Sequence, residues 1–189
     1  PPSKNTSNTP PAPPRTSNKD RMATTDLSAY DRSKMPDGAG LRIGIAVSGW
    51  NAEITESLYR GAFDTLIDLG VLRNDIVRNE VPGSFELIYA ASLMQASGRY
   101  DAVIVLGSVI RGETPHFEYI CSAVAQGIGG LNAQAGEKGL APVIFGVLTD
   151  ENIAQSRDRS GGRLGNKGVE CAADAVLMSH LRKKLKNQK

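Results

Sequence analysis

Ala102-Val-Ile-Val-Leu106 is continuously apolar and ends at Gly107, in a turn that passes through Gly112, Thr114 and Pro115 into a helical pattern. So short and apolar a run fits a strand covered on both faces, which demands other elements above and below it. The remaining chain supplies them. Leu41-Arg-Ile-Gly-Ile-Ala-Val-Ser48 reads as a first strand, and Ala52 to Leu69 as a helix with Ile54, Leu58, Ala62, Leu66 and Leu69 on one face. Asn51 is its expected N-cap and Gly70 its stop. A second strand, about Ile76 to Val81, ends at Pro82-Gly83, and Ser84 is expected to open a helix running to Gly98. After the apolar strand, Thr114 is the expected cap and Pro115 the first residue of the next helix, where its missing N–H costs nothing. Pro142 to Thr149 reads as a fourth strand, followed by a short helix from Glu151, a glycine-rich link and a last helix from about Asn166.

Strands alternating with helices predict an α/β fold: a three-layer α/β/α sandwich around a mainly parallel four-stranded central sheet, with ligands at the carboxyl ends of the strands. The chemically suggestive residues fall at such ends. Trp50 and Asn51 follow the first strand, Pro82 to Glu86 the second, and Ser108 to His116 the third, while the fourth carries Phe145 and leads into a basic link. His116 falls in a first helical turn, where free N–H groups can hold an anion beside an imidazole able to move protons.

Composition narrows the class. Residues 1–40 are rich in Pro, Ser, Asn and Thr and poor in core-forming residues, so they are expected to form a flexible extension ahead of one domain spanning 41–189. Met22, followed by Ala-Thr-Thr, reads as a candidate natural start, which would make residues 1–21 an appended segment. No apolar run approaches the ~20 residues of a membrane span, and no signal-peptide centre is present, so a cytoplasmic protein without a membrane partner is expected. A net charge of +2 gives no argument for nucleic acid. The basic C-terminal run from Arg182 to Lys189 reads as a helix end whose cations complement its dipole. Cys121 and Cys171 lie in helical patterns without paired spacing and read as core residues rather than as a disulfide, zinc ligands or a nucleophile.

Two nucleotide signatures fail. Gly162-Arg-Leu-Gly-Asn-Lys167 has Asn166 where a phosphate loop needs its second glycine and Gly168 where it needs Ser or Thr; Gly127-Ile-Gly-Gly130 lacks dinucleotide spacing and lies in a helical pattern. Close approach of another helix is the expected reason for those helical glycines. The link from Arg157 to Lys167 also carries Arg159 and Arg163, and reads either as solvated loop charge or as a phosphate clamp. Trp50 is either a core residue or a stacking surface for a flat ring. His180, late in a helix, reads as structural.

Gly49-Trp-Asn51, Val81-Pro-Gly-Ser-Phe-Glu86, Leu106 to Cys121, Val143-Ile-Phe-Gly-Val147 and Gly165-Asn-Lys-Gly-Val-Glu-Cys171, in this order, resemble the lumazine synthase family of the riboflavin pathway. The resemblance covers Leu41 to the C-terminus and implies a flavodoxin-like sandwich. It also implies condensation of 5-amino-6-(D-ribitylamino)uracil with 3,4-dihydroxy-2-butanone 4-phosphate, without metal or other cofactor. Carried over residue by residue, it implies that Trp50 stacks on the pyrimidine, with Asn51 beside it. Ser84, Phe85 and Glu86 would hold the ribityl chain, and Ser108, Val109 and Ile110 would meet the ring edge. The phosphate would meet Glu113, Thr114 and Arg159, and His116 would carry protons. Phe145, Arg159 and Lys167 would arrive from a neighbour in a homopentamer with sites between subunits. The short link around Gly161 to Gly165 looks more like members that build an icosahedral shell of twelve pentamers, with riboflavin synthase as an associated partner. Arg163 stands where many relatives carry lysine.

Three other readings compete. Another phosphosugar-binding enzyme could use His116 and Arg159 on a different carbonyl substrate. A non-catalytic flavin- or lumazine-binding shell protein would keep the pocket, but loss of His116 or Arg159 would have favoured it and both are present. A flavodoxin-like electron carrier would need a Ser/Thr-rich phosphate loop after the first strand, which this chain lacks.

Overall fold

The computed structural model describes residues 26–188. The candidate start at Met22 and the segment before it lie outside the described residues. Four strands, β1 (Ile43–Ser48), β2 (Ile76–Val81), β3 (Ala102–Ile110) and β4 (Val143–Asp150), form one sheet in the order β2-β1-β3-β4. All three pairings are parallel, with Ile43 opposite both Ile76 and Ala102, and Val103 opposite Val143. Among the described residues five α-helices accompany them: α1 (Ala52–Asp68), α2 (Leu87–Ala96), α3 (His116–Lys138), α4 (Ile153–Arg159) and α5 (Lys167–Lys186). The glycine-rich link folds as a small antiparallel hairpin of β5 (Ser160–Gly162) and β6 (Gly165–Asn166).

The sandwich follows from strand alternation. Ile43, Ile45 and Val47 of β1 and Ala102, Ile104 and Leu106 of β3 face a core completed by Leu58, Ala62 and Leu66 of α1 and Ala172, Ala175 and Val176 of α5. The intervening Ala46, Val103 and Val105 face the other core, with Leu87 and Ala91 of α2 and Val124 and Ile128 of α3. Burying each large aliphatic side chain contributes about 1.5–3 kcal/mol, so the two central strands anchor the domain. The edge strand differs: Arg78 of β2 makes a bidentate bridge to Glu56, lies 3.0 Å from Glu80, and covers the Tyr59 ring at 4.5 Å. Polar cover of this kind protects an open strand edge.

Close backbone packing fixes where α5 starts. A Cβ on Gly168 would collide with the Leu58 carbonyl of α1. Asn166 caps Gly168 N at 2.8 Å, and its amide nitrogen donates to Ser57 O at 2.9 Å. Among the helical glycines, Gly127 meets the expected neighbour, since a Cβ there would lie 2.7 Å from Ile88 of α2. Gly129 and Gly130 have nothing within 4 Å among the described residues, so these do not supply the helix expected against them.

Contacts with the domain begin ahead of Leu41. Leu27 N donates to Leu164 O at 3.2 Å, Tyr30 donates to Asp68 at 2.7 Å, Gly38 N donates to Leu69 O at 2.7 Å, and Met35 packs on the first core. Among the described residues no helix is long and apolar enough to cross a membrane.

Candidate active site

Three strand ends build one cleft of about 570 Å³. Trp50 and Asn51 enter it after β1, Gly83 to Glu86 after β2, and Ser108, Val109 and Ile110 from the end of β3; His116 and Ile120 come from the first turns of α3. Parallel strands end together, so loops far apart in sequence converge here.

Local geometry departs from the sequence expectations at the helix starts around the cleft. Asn51 occupies the N-cap of α1, but in the left-handed region (φ 56°) and without a side-chain cap bond. Its amide nitrogen instead donates to Ser108 O at 2.9 Å, tying the loop after β1 to β3. Asparagine tolerates that conformation better than most residues. Ser84 does not open α2, which begins at Leu87; Ser84 to Glu86 form a turn in which Leu87 N reaches Ser84 O at 3.3 Å. Thr114 does not cap α3 either. Pro115 is the N-cap, its carbonyl accepting from Tyr119 N at 3.3 Å, and His116 is the first helical residue.

The cleft combines an exposed apolar face with unpartnered hydroxyls. The Trp50 side chain is 72% exposed and Phe85 50%, which removes the core reading of Trp50. Ser84 and Ser108 are buried, yet their Oγ atoms have no hydrogen-bond partner, and the same holds for Ser48 at the end of β1. A Cβ on Gly107 would lie 2.7 Å from Ser84 Oγ, so only glycine lets the serine turn approach β3. Buried hydroxyls normally find partners, and such a floor is suited to a polyhydroxylated ligand. The free amides of the α3 first turn add an anion-attracting edge beside the His116 imidazole.

Other sequence candidates lie elsewhere. Glu113 and Thr114 are exposed in the loop joining β3 to α3, outside the cleft lining. Phe145 is not at a strand end; it sits inside β4, half-buried against the second core. The basic link does not reach the cleft of its own chain. Arg159 donates to Leu164 O at 2.9 Å and to Glu170 at 2.6 Å, and Lys167 meets the other oxygen of Glu170 at 2.8 Å. Arg157 pairs with Glu53 at 2.8 Å and Arg163 with Asp158 at 2.9 Å. Hydrogen bonding from Arg157 holds the Glu53 carboxyl below its usual range.

Three features were missed in the sequence. Ile120 joins the cleft because it lies one turn beyond His116, a spacing that could have revealed it. Ser48 is hidden in an otherwise apolar strand. Arg111 contacts Glu118 and, at 2.5 Å, Glu151, while covering the Phe117 ring at 4.3 Å; it braces the loop carrying Glu113 and Thr114. No local pattern announces that contact. Cys171 is the core residue expected, and burial pushes its thiol up to about 12; Cys121 is only half-buried and joins neither core, and desolvation raises its thiol too, which favours the neutral thiol at both.

The 6,7-dimethyl-8-ribityllumazine synthase family model matches residues 40–183. A protein of that name from Christiangramia forsetii is 53% identical over 168 residues, covering 87% of this chain and 98% of its own length. Proteins of the same name from Flavobacterium johnsoniae and Porphyromonas gingivalis are 53% and 51% identical over 163 and 162 residues, each spanning 85% of this chain and 84% and 98% of their own lengths. Matches of that length and identity, spread over the strands and loops that build the cleft, place this chain in the 6,7-dimethyl-8-ribityllumazine synthase family.

Proposed function

We propose that the protein condenses 5-amino-6-(D-ribitylamino)uracil with 3,4-dihydroxy-2-butanone 4-phosphate to 6,7-dimethyl-8-ribityllumazine, releasing phosphate and water, in the penultimate step of riboflavin biosynthesis. One observation carries the reading: a chain of this family joins an exposed indole, buried hydroxyls and an imidazole at a helix start in a single cleft.

In this reading the pyrimidine stacks on Trp50, with Asn51 beside it and its edge against the backbone of Ser108, Val109 and Ile110. The ribityl hydroxyls meet Ser84 and Glu86, with Phe85 packed along the chain. The phosphate lies near Glu113 and Thr114, against the free amides of the α3 first turn, and meets Arg159. His116 takes a proton from the amine as it attacks the ketone and returns it to the departing hydroxyl. It then serves the phosphate elimination and the closure of the second ring. Holding both substrates in one cleft lowers the entropic part of the barrier. No cofactor is invoked.

The assembly belongs to the same proposal. Arg159 and Lys167 do not line the cleft of their own chain, and Phe145 is half-buried away from it. A homopentamer in which the hairpin of one subunit reaches the cleft of the next would bring Phe145, Arg159 and Lys167 to the substrates. Exposed Tyr89 and Leu93 on α2, Tyr119 on α3 and the uncovered Gly129 and Gly130 supply a surface for such packing. Twelve such pentamers in an icosahedral, cytoplasmic shell, associated with riboflavin synthase, complete the proposed arrangement.

The test mixes both substrates with the purified protein in chelator-containing buffer and follows the lumazine chromophore. Acceleration over the uncatalysed background is expected. A folded oligomer that binds the ribityl substrate without accelerating the reaction would contradict the proposal.

A further inference from the structure

The described segment ahead of the domain lies against the hairpin that follows Arg159, the last residue of α4. Leu27 N donates to the Leu164 carbonyl at 3.2 Å, and Arg159 donates to that same carbonyl at 2.9 Å. Asp26 shapes the approach: its Oδ1 accepts from Ser28 N at 2.8 Å and from Ser28 Oγ at 2.6 Å, closing a tight turn. Ser28 is buried, whereas the Leu27 side chain is 46% exposed, so at Leu27 the backbone makes the directed contact.

The hairpin accommodates this turn. Gly165 has φ +83°, and a Cβ there would collide with Asp26 Oδ1 and Ser28 Oγ. Beyond the turn the chain is tied down along α1 by Tyr30 to Asp68 at 2.7 Å and by Arg32 to Asp68 O at 3.1 Å. The Leu164 carbonyl therefore sits between two donors, one from the guanidinium and one from a segment anchored on a core helix.

We propose that Asp26–Ser28 is a positioning strap, which sets the Arg159 guanidinium for a phosphate group by holding the Leu164 carbonyl through Leu27 N–H. The inference rests on the phosphate-binding role given to Arg159 above. Without the strap the hairpin keeps its pairing within β5 and β6 and Leu164 N keeps its bond to Asp158 O at 2.9 Å, but the Leu164 carbonyl loses one of its two donors and holds Arg159 less firmly. Glu170 still holds the other side of the guanidinium, so the effect is on the aim of Arg159 rather than on its presence.

Leu27→Pro in the full chain removes the N–H; Leu27→Ala keeps it and removes only an exposed side chain. Both are compared with wild type by thermal unfolding, by titration with inorganic phosphate, and by steady-state kinetics in each substrate. Leu27→Pro should weaken phosphate binding and raise KM for the butanone phosphate about five- to tenfold, the scale of one hydrogen bond. Its kcat and its KM for the aminouracil should stay within about twofold of wild type, and Leu27→Ala should match wild type throughout. Unchanged phosphate affinity in Leu27→Pro would overturn the strap, as would equal losses for both substrates or equal damage from Leu27→Ala. Absence of lumazine formation by wild type would instead contradict the synthase reading, and the phosphate titration would still decide the strap.

Discussion

In the cleft, Ser84 and Ser108 keep unpartnered Oγ atoms and the Trp50 ring is 72% exposed; around the β5–β6 hairpin, Arg157, Arg159, Arg163 and Lys167 each lie on a carboxylate of their own chain. One region leaves buried hydroxyls unpartnered, and the other pairs its charges within the chain. Charges held away from the cleft of their own chain are what the proposed site between subunits calls for. Under the proposed function this contrast would also divide the work, with the cleft taking the flat, hydroxylated substrate and the basic link taking the phosphate.

The comparison breaks most sharply at His116. Replacing it with alanine should lower kcat about 100- to 10,000-fold, the range of general acid–base catalysis, while affinity for the ribityl substrate is largely retained. Calorimetric titration of that substrate beside single-turnover rates checks both halves; equal losses in binding and chemistry would erase the distinction. Arg159→Ala should act next most strongly, raising KM for the butanone phosphate about 10- to 100-fold, as expected for a charged hydrogen bond. Its ribityl-substrate affinity should be unchanged, and an equal loss there would place Arg159 in the wrong half.

Stability sharpens the contrast at a third position. Gly168→Ala drives a methyl into the Leu58 carbonyl where α5 meets α1. A cost of about 1–3 kcal/mol in denaturant unfolding is expected, because packed interiors resist added volume. The smallest effect concerns the edge strand, away from both regions. Hydrogen bonding and charge from Arg78 hold the Glu56 carboxyl below its ordinary 4.5. A carboxyl depressed in the folded state stabilises above its unfolded pKa and loses that contribution as pH falls through the folded value. Stability should therefore decline below about pH 4.5 less steeply in Glu56→Gln than in wild type, as read by unfolding at a series of pH values.

The sheet was legible in the sequence because its signals are local. Ala102 to Leu106 can satisfy its apolar side chains only between two layers, and the helical spacing of Leu58, Ala62 and Leu66 names one of them. Helix starts were less legible. Asn51, Ser84 and Thr114 are residues that favour capping, but Asn51 gives its amide to Ser108 O, Ser84 turns under Gly107, and Pro115 takes the place of Thr114. Tertiary partners decide such positions, and no local pattern encodes them. Within the site, the residues at strand ends were foreseeable from topology, and the cleft gathers Trp50, Asn51, Ser84 to Glu86, Ser108 to Ile110 and His116. The pairing of Arg159 and Lys167 on Glu170, and the bracing by Arg111, depend on side chains meeting across elements and were invisible until the fold was in view.

The most direct test of a site shared between subunits mixes His116→Ala and Arg159→Ala chains. With the butanone phosphate held well below the KM of Arg159→Ala, each variant alone should be nearly inactive. Co-assembled in equal amounts, neighbours in a ring should restore intact sites at about a quarter of the positions, each joining a cleft that keeps His116 to a basic link that keeps Arg159. Recovery of activity near that fraction is the predicted result; mixed oligomers no more active than the separate variants would contradict a site built from one subunit's cleft and its neighbour's hairpin.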